Sequence, residues 1–242
     1  MSEHNKAERR PTRSEYKAVW SALSDTHDRA KMHVIGTTEE TALVGSGTET
    51  MKILQEMVGI KPDDTVLEIG CGVGRVGKHL ALLCRRWIGC DVSANMLAFA
   101  AGRLLGLSNV ELKEVSGYNL QGIADESIDL VYCTVVFMHL ESWDRYNYVL
   151  EAFRVLRSGG RIYIDNANLC SEGGWKVFET HRAFAPSGRP PHMTECSTPQ
   201  EIETYLQRAG FQKIAIRTTD DWIRAAGVKP SKILVDSGSG EG

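Results

Sequence analysis

The sequence lacks the features that mark several large classes of protein. Its 242 residues contain no apolar run near the ~20 residues that a membrane-spanning helix needs, which predicts a soluble chain with no membrane partner. The first residues carry no apolar core of the signal-peptide kind, which predicts a cytoplasmic location. Lys and Arg number 28 against 31 Asp and Glu, so no excess of positive charge favours a stable nucleic-acid partner.

Cysteine pairs at metal-ligand or redox spacing are also missing. The six cysteines include no CxxC pair, and several lie inside apolar runs, where a thiol behaves as a small hydrophobic group. We therefore expect reduced cysteines in the core, with neither disulfides nor a metal site.

The chain does contain an alternation of short β-branched runs with longer amphipathic stretches. The runs that predict strands lie at 65–69, 87–90, 110–114, 128–136 and 161–165. The stretches that predict helices lie at 77–83, 94–105, 143–156 and 200–209. Two final runs, 211–218 and 221–228, predict a hairpin. This order is typical of an open, mostly parallel α/β sheet, which binds ligands at the carboxyl ends of its strands.

Composition divides the chain around this alternation. Charged and polar residues predict a disordered tail at 1–13, and periodic apolar residues predict a lid of two or three helices at 14–59. The α/β domain is expected at 60–230, with a Gly- and Pro-rich insertion at 169–198 that could cover its ligand crevice. The Gly- and Ser-rich segment 231–242 predicts a flexible tail.

The most informative stretch joins the first predicted strand to the first helix of the domain. Glu68 lies near the end of the strand, and Gly70, Gly72 and Gly74 follow it. Glycines in such a turn let a ligand approach the main-chain amides closely. A dinucleotide fingerprint GxGxxG would require glycine at the position of Arg75, which disfavours NAD and FAD. A nucleotide- or dinucleotide-binding oxidoreductase stays as the alternative.

Glu68 with its three glycines resembles the first motif of the class I S-adenosylmethionine-dependent methyltransferases. The resemblance continues through Asp91 at the end of the second strand and through the turn at 156–162, and it spans roughly residues 50 to 230. It implies the Rossmann-like fold of that family: a seven-stranded, mostly parallel sheet with a C-terminal antiparallel hairpin, helices on both faces and an N-terminal helical lid. It also implies S-adenosylmethionine as cofactor and S-adenosylhomocysteine as product.

The resemblance assigns roles to individual residues. Glu68 would take the ammonium group of the cofactor, and Asp91 would accept hydrogen bonds from the two ribose hydroxyls. Ser116 and Gly117 stand where the family commonly has an acidic and a small residue at the adenine. The full set of cofactor-binding residues that it implies is Glu68, Gly70, Cys71, Gly72, Gly74, Asp91, Val92, Met96, Ser116, Gly117 and Thr134.

The acceptor is expected to be a small molecule, a glycan or secondary metabolite for example, methylated on an O or N atom. The Asn/Asp-Pro-Pro-aromatic motif of enzymes that methylate exocyclic or amide nitrogens is missing, and Asp165 and Asn166 stand near its place. His139 follows the fourth strand at the crevice, where its near-neutral pKa suits a general base. The residues predicted to contact the acceptor are Tyr16, Trp20, Asn166, His181, Arg189 and His192. A non-catalytic protein that kept the cofactor site is a further alternative, and the oligomeric state is left open.

Overall fold

A single sheet organises the computed structural model, which describes residues 11–219 and 221–231. Within this part of the chain, seven strands lie in the order β3-β2-β1-β4-β5-β7-β6. Their bounds are β1 Thr65–Ile69, β2 Arg86–Asp91, β3 Val110–Glu114, β4 Ile128–Cys133, β5 Leu156–Ala167, β6 Gln212–Thr218 and β7 Trp222–Val228. The first five strands are parallel, and β7 pairs antiparallel with both β5 and β6. The predicted fold is confirmed.

Helices cover both faces of the sheet. Successive side chains of each strand point to opposite faces, so each face has its own hydrophobic core. Leu67 of β1 and Val131 of β4 face one core, whereas Val66 and Leu130 face the other. β1 is buried along its whole length, as expected for a central parallel strand. The helices are α1 Tyr16–Leu23, α2 His27–Ile35, α3 Glu40–Met57, α4 Gly77–Leu80, α5 Ala94–Arg103, α6 Ser142–Val155, α7 Glu172–Arg182 and α8 Pro199–Ala209.

Local sequence signals set several helix ends. The Ser93 hydroxyl accepts a hydrogen bond from the Met96 amide at the start of α5. Thr198 caps α8 in the same way, and Gly210 ends that helix in the left-handed region at φ 99°. These residues fix where α5 and α8 begin and where α8 ends, in agreement with the predicted bounds.

The predicted strand at 128–136 is too long, since β4 ends at Cys133. Val135 adopts φ 61°, a backbone conformation that is strained for a β-branched residue, and this turns the chain out of the sheet. The Asp165 carboxylate holds the turn by accepting a hydrogen bond from the Val135 amide at 2.7 Å. A short 3₁₀ turn, Phe137–His139, follows. The chain direction after β4 is therefore set by a tertiary contact.

The N-terminal segment is fastened to the domain at several places. Three helices, α1 to α3, precede β1. Arg13, in the last part of the predicted tail 1–13, donates hydrogen bonds to the carbonyl oxygens of Met138 and Met193. The other tail residues, 1–10, and residues 232–242 of the C-terminal tail lie outside the described residues, and the predicted domain boundaries stay predictions. Among the helices that the structure describes, none is long and apolar enough to cross a membrane.

Candidate active site

The main pocket lies where β1, β2 and β4 end, as the parallel topology predicts. Residues 70–74 are here called the glycine loop, and its first three residues, Gly70, Cys71 and Gly72, line the pocket. The amides of Gly70 and Cys71 both donate to the Cys90 carbonyl oxygen, at 2.8 and 2.9 Å, which ties the loop to the end of β2. Gly70 has φ 71°, and a Cβ there would lie 2.3 Å from Cγ2 of Val136. Only glycine fits at this position.

Glu68 lines the pocket as a buried carboxyl group at the end of a hydrogen-bond chain. The Trp87 indole donates to the Tyr132 hydroxyl at 3.0 Å, and that hydroxyl donates to Oε2 of Glu68. Burial raises the pKa of Glu68 to about 8, although the Tyr132 hydrogen bond and Arg75 oppose the shift. A bound cation would reverse this shift, so the site suits the ammonium group of an amino acid.

Asp91 lines the same pocket one strand away. Oδ2 accepts from the Gly72 amide at 2.8 Å, and Oδ1 accepts from the Ser93 amide at 2.9 Å. Burial raises the pKa of Asp91 to about 6, although the backbone hydrogen bonds lower it. Each carboxylate oxygen keeps a lone pair for another donor. The two oxygens are thus held in a fixed orientation and can accept from a pair of neighbouring hydroxyls.

Arg75 is a pocket residue that the sequence argument missed. Its buried guanidinium lines the cavity, where Nη1 donates to the Ser46 carbonyl at 3.0 Å and to the Thr50 hydroxyl at 2.8 Å. Nη2 lies 3.4 Å from the hydroxyl of Thr134. In the sequence, Arg75 served only to disfavour a dinucleotide fingerprint, because that motif requires glycine at this position. Its partners on α3 are distant in the chain, and no local sequence pattern predicts these contacts.

Most of the residues predicted to bind the cofactor line this pocket, namely Glu68, Gly70, Cys71, Gly72, Asp91, Val92, Met96, Gly117 and Thr134. Gly74 and Ser116 do not. Gly74, at φ 76°, allows α5 to pack closely, since a Cβ there would lie 3.3 Å from Leu104. The exposed Ser116 hydroxyl bonds to Asn119 and accepts from the Tyr118 amide. The turn at 116–119 uses the Ser116 side chain itself, and Gly117 contributes the pocket wall.

The helices α1 and α2 form the cover of the pocket. Tyr16 and Trp20 of α1 line it, together with His33 and Val34 of α2. The Tyr16 hydroxyl donates to Oδ2 of Asp144 at 2.6 Å and accepts from the Glu141 amide at 2.9 Å. This single hydroxyl therefore joins α1 to the start of α6. The sequence pointed to Tyr16 and Trp20 by their spacing but gave no signal for His33 or Val34.

Changing Tyr16 to Phe is expected to loosen the cover. The variant loses a hydrogen bond to a carboxylate, which is worth about 1.5–3 kcal/mol. We expect S-adenosylhomocysteine to dissociate about tenfold faster or more, and amides of α1 to exchange hydrogen faster. Tyr205→Phe is the matched control, because its hydroxyl also donates to a carboxylate, Glu201, but outside the pocket. Equal dissociation rates in Tyr16→Phe and wild type would show that this hydroxyl does not hold the cover.

His139 also lines the pocket, from the 3₁₀ turn after β4. Its Nδ1 is 2.9 Å from the carbonyl oxygen of His192, and its ring centroid is 4.9 Å from that of Trp20. Because a carbonyl only accepts, Nδ1 carries the hydrogen and Nε2 keeps its lone pair. Burial lowers the pKa of His139 to about 3, so the ring is neutral at physiological pH.

The other residues predicted to contact the acceptor fall into two groups. His192 lies behind the pocket wall, with its ring 5.2 Å from that of His33. Asn166, His181 and Arg189 do not line the pocket. The buried Asn166 amide donates to the Ser197 hydroxyl, His181 faces the Thr194 carbonyl, and Arg189 is exposed. The insertion packs back along β5 through Ser197, and internal contacts occupy the Asn166 and His181 side chains.

Comparison with known proteins gives an independent test. A family described as a methyltransferase domain matches residues 67–164. Phosphoethanolamine N-methyltransferase 1 of Arabidopsis thaliana is 31% identical over 121 residues, covering 50% of this chain and 24% of that protein. A human thiol S-methyltransferase is 27% identical over 175 residues, covering 70% of this chain and 68% of that protein. The matched part is thus about a quarter of the length of the Arabidopsis protein.

Solved structures agree on the fold. A Thermotoga maritima methyltransferase described as a possible histamine N-methyltransferase has a TM-score of 0.64 at 17% identity, covering 88% of this chain and 99% of that one. Haemonchus contortus phosphoethanolamine N-methyltransferase 2, solved with S-adenosylhomocysteine, has a TM-score of 0.63 at 18% identity, covering 76% of this chain and 53% of that one. The glycine loop, Glu68 and Asp91 lie at the expected strand ends and residues 67–164 match a methyltransferase domain, so the predicted resemblance to the class I S-adenosylmethionine-dependent methyltransferases is confirmed.

Proposed function

We propose that this chain transfers the methyl group of S-adenosylmethionine to a small-molecule acceptor. The supporting observation is that Glu68, Asp91 and His139 all line one pocket. The covering helices α1 and α2 would exclude water from the reacting atoms, which protects the sulfonium from hydrolysis.

The donor set matches the parts of the cofactor. Glu68 would bind the ammonium group, and Asp91 the two ribose hydroxyls, since both are buried carboxyl groups with free acceptor capacity. Arg75 and the Thr134 hydroxyl lie on the pocket wall where a carboxylate would find positive charge. Met96 and Gly117 would flank the adenine. The cofactor supplies an electrophilic methyl group, and the chain supplies orientation and a dry site.

The proton on the acceptor has one suitable destination. Formation of the bond from the acceptor atom to the methyl carbon would break the carbon-sulfur bond of the cofactor, and its electron pair would stay on sulfur. The acceptor then loses its proton to Nε2 of His139, whose Nδ1 is held by the His192 carbonyl oxygen. The positive charge of the sulfonium ends on the imidazolium, so the overall charge of the pocket is unchanged.

Relatives support a small acceptor but differ in the atom methylated. Those named above act on phosphoethanolamine nitrogen or on a thiol, according to their names. The O or N acceptor predicted from the sequence therefore widens to include sulfur. A cytoplasmic location and the lack of a stable nucleic-acid partner remain part of the proposal. They are supported by six free cysteines and by the near balance of charge.

Calorimetry with S-adenosylhomocysteine tests the cofactor site, and release of that product from S-adenosylmethionine with an acceptor tests catalysis. We expect micromolar binding of the product, in the ordinary range for enzyme ligands. A protein that gives no binding heat at millimolar ligand would contradict the proposed function. Tight binding without turnover of any thiol, hydroxyl or amine acceptor would favour a non-catalytic cofactor-binding protein.

Changing Asp91 to Ala should weaken binding of S-adenosylhomocysteine by about 1–3 kcal/mol, because two charge-assisted hydrogen bonds to the ribose are lost. The control is Asp129→Ala. Asp129 also accepts from a backbone amide, that of Thr65, but at the opposite end of the sheet. Melting temperatures of both variants separate lost affinity from lost stability. If folded Asp91→Ala binds like wild type, the ribose does not lie at Asp91.

A further inference from the structure

One part of the pocket lining has a distinct composition. It is formed by Trp20, His33, Val34, Val136 and His139, here called the acceptor wall. These residues come from α1, α2 and the turn after β4, so two segments distant in the chain meet here. A role for this wall in binding the acceptor rests on the proposed function.

Few of the side chains that line the pocket carry a full charge. Among the described residues that line it, the Asp, Glu, Lys and Arg side chains are Glu68, Arg75 and Asp91. Glu68 and Asp91 lie at the ends of β1 and β2, and Arg75 is bound to Ser46 and Thr50 of α3. Arg13 is the cation that acts on His139, but the carbonyl oxygens of Met138 and Met193 and the carboxylate of Glu195 already bind its guanidinium. A charged acceptor group at His139 would therefore be desolvated without a lining side chain of opposite charge.

The imidazoles of this region do not supply the missing charge. Burial lowers the pKa of His139 to about 3. The pKa of His33 is lowered mainly by burial and further by the nearby His192 and Arg29. The pKa of His192 is also lowered, mainly by burial and further by Arg13 and His181. The His192 ring contacts that of His33. All three rings are neutral at physiological pH. The acceptor wall is thus polar through ring nitrogens but carries no net charge.

Ring geometry adds a shape constraint. The Trp20 ring meets that of His139 at 4.9 Å and 68°, and that of His33 at 6.5 Å and 88°. Such edge-to-face arrangements present flat faces that favour an aromatic guest. Val34 closes the space above the glycine loop, because a Cβ on Gly72 would lie 3.2 Å from its Cγ2. The wall therefore combines aromatic rings with the aliphatic side chains of Val34 and Val136.

We propose that the acceptor is an uncharged aromatic molecule whose O–H or S–H group donates a hydrogen bond to His139 and then loses its proton there. The ring would stack against Trp20. This chemistry differs from that of phosphoethanolamine, the acceptor named for several relatives of the chain, because a phosphate group needs a cation that the acceptor wall does not offer.

Matched acceptors that differ in one charge test the proposal. The first pair is 4-methylcatechol and 3,4-dihydroxybenzoate; the second is 4-methylbenzyl mercaptan and 4-(mercaptomethyl)benzoate; phosphoethanolamine is the fifth probe. We expect kcat/KM, measured by product release, to favour the neutral member of at least one pair by about tenfold or more. The pair that responds distinguishes oxygen from sulfur. Equal or better turnover of phosphoethanolamine or of the carboxylates would overturn the proposal.

Changes at His33 test the electrostatic argument directly. His33→Lys places a cation at the edge of the acceptor wall and should shift the ratio of kcat/KM values toward the carboxylate probe by about tenfold. His33→Gln removes the ring without adding charge and should leave the ratio within about threefold of wild type. An unshifted ratio in His33→Lys would contradict the proposal.

Failure of this inference is distinguishable from failure of the proposed function. Binding of S-adenosylhomocysteine alone is measured first and does not involve the acceptor wall probes. If the product binds but no aromatic probe is turned over or binds to the product-loaded protein, the aromatic acceptor is wrong while the cofactor site stands. If the product does not bind, the proposed function fails before the acceptor is considered.

Discussion

Replacing Glu68 with Gln is expected to stabilise the ligand-free protein at pH 8 while weakening its binding of S-adenosylhomocysteine. The pKa of Glu68 is raised from about 4.5 to about 8 by burial. Between these values the unfolded chain releases the proton that the folded chain retains, so the stability of wild type falls as pH rises through this window. Glutamine removes that penalty, and each 1 kcal/mol gained would raise Tm by about 2–4 °C in a chain of this size.

The gain should vanish in acid. At pH 4 the side chain is protonated in both states, so the two proteins should have Tm values close together. Glu151→Gln is the control, since Arg154 lowers the pKa of Glu151 and the substitution removes a favourable ion pair far from the pocket. That variant should not gain stability at pH 8. A Tm difference between Glu68→Gln and wild type that is the same at pH 4 and pH 8 would contradict this account.

The same substitution should weaken the product complex about 10–100-fold, because the charge-assisted hydrogen bond to the ammonium group is lost. If Glu68 binds the ammonium as proposed, the ammonium lowers the pKa of Glu68 in wild type, and binding near pH 7 should release a proton. Affinity should therefore rise with pH until about 8, and calorimetry in buffers of different ionisation enthalpy should detect the released proton. Unchanged affinity in Glu68→Gln would place the ammonium elsewhere. The lower stability of wild type at pH 8 would then be unrelated to binding of the ammonium group.

The cofactor side of the site follows from the sequence because it depends on local and topological rules. Glu68 and Asp91 end two strands that are both parallel and adjacent, so their carboxyl ends meet at one edge of the sheet. The glycine loop follows from its spacing, since Gly70 is required by the close approach of Val136. Register and turn chemistry thus bring these residues together without detailed knowledge of side-chain packing.

The acceptor side depends on contacts between distant segments, and the sequence reveals little of it. Val34 reaches the glycine loop from α2, and Arg75 reaches Thr50 on α3. Neither contact has a signature in spacing or composition. Asn166 lies at the predicted strand end, but its amide is occupied by Ser197 of the insertion, whose fold had no periodic pattern to reveal it. The positions of these residues in the sequence predict where the crevice lies, but they do not predict which way the side chains point.

The turn after β4 shows a third kind of limit. A run of β-branched residues predicts continued strand through Val136, yet Val135 takes φ 61°. Asp165 of the neighbouring strand stabilises that conformation through the Val135 amide. This strain directs the following residues toward the pocket and so places His139 on its wall. Local propensity fails here because a tertiary hydrogen bond outweighs it.

His139→Ala should lower turnover by about 10²–10⁴-fold with an O–H or S–H acceptor, the range expected for loss of a general base. Affinity for S-adenosylhomocysteine should stay close to that of wild type, because the cofactor residues lie at the ends of β1 and β2. His181→Ala is the matched control: its Nδ1 also faces a carbonyl oxygen, that of Thr194, but it does not line the pocket. That variant should retain turnover within about threefold of wild type.

The pH profile of His139 distinguishes a base from a packing residue. Because its pKa is lowered to about 3, the imidazole is unprotonated throughout the working range, and kcat/KM should show no acid limb near the ordinary value of 6.5. Such a weak base suffices because the acceptor atom becomes strongly acidic as the methyl group is transferred. If His139→Ala lowers Tm and turnover together while His139→Gln restores both, the ring only packs against Trp20, and alignment alone drives transfer.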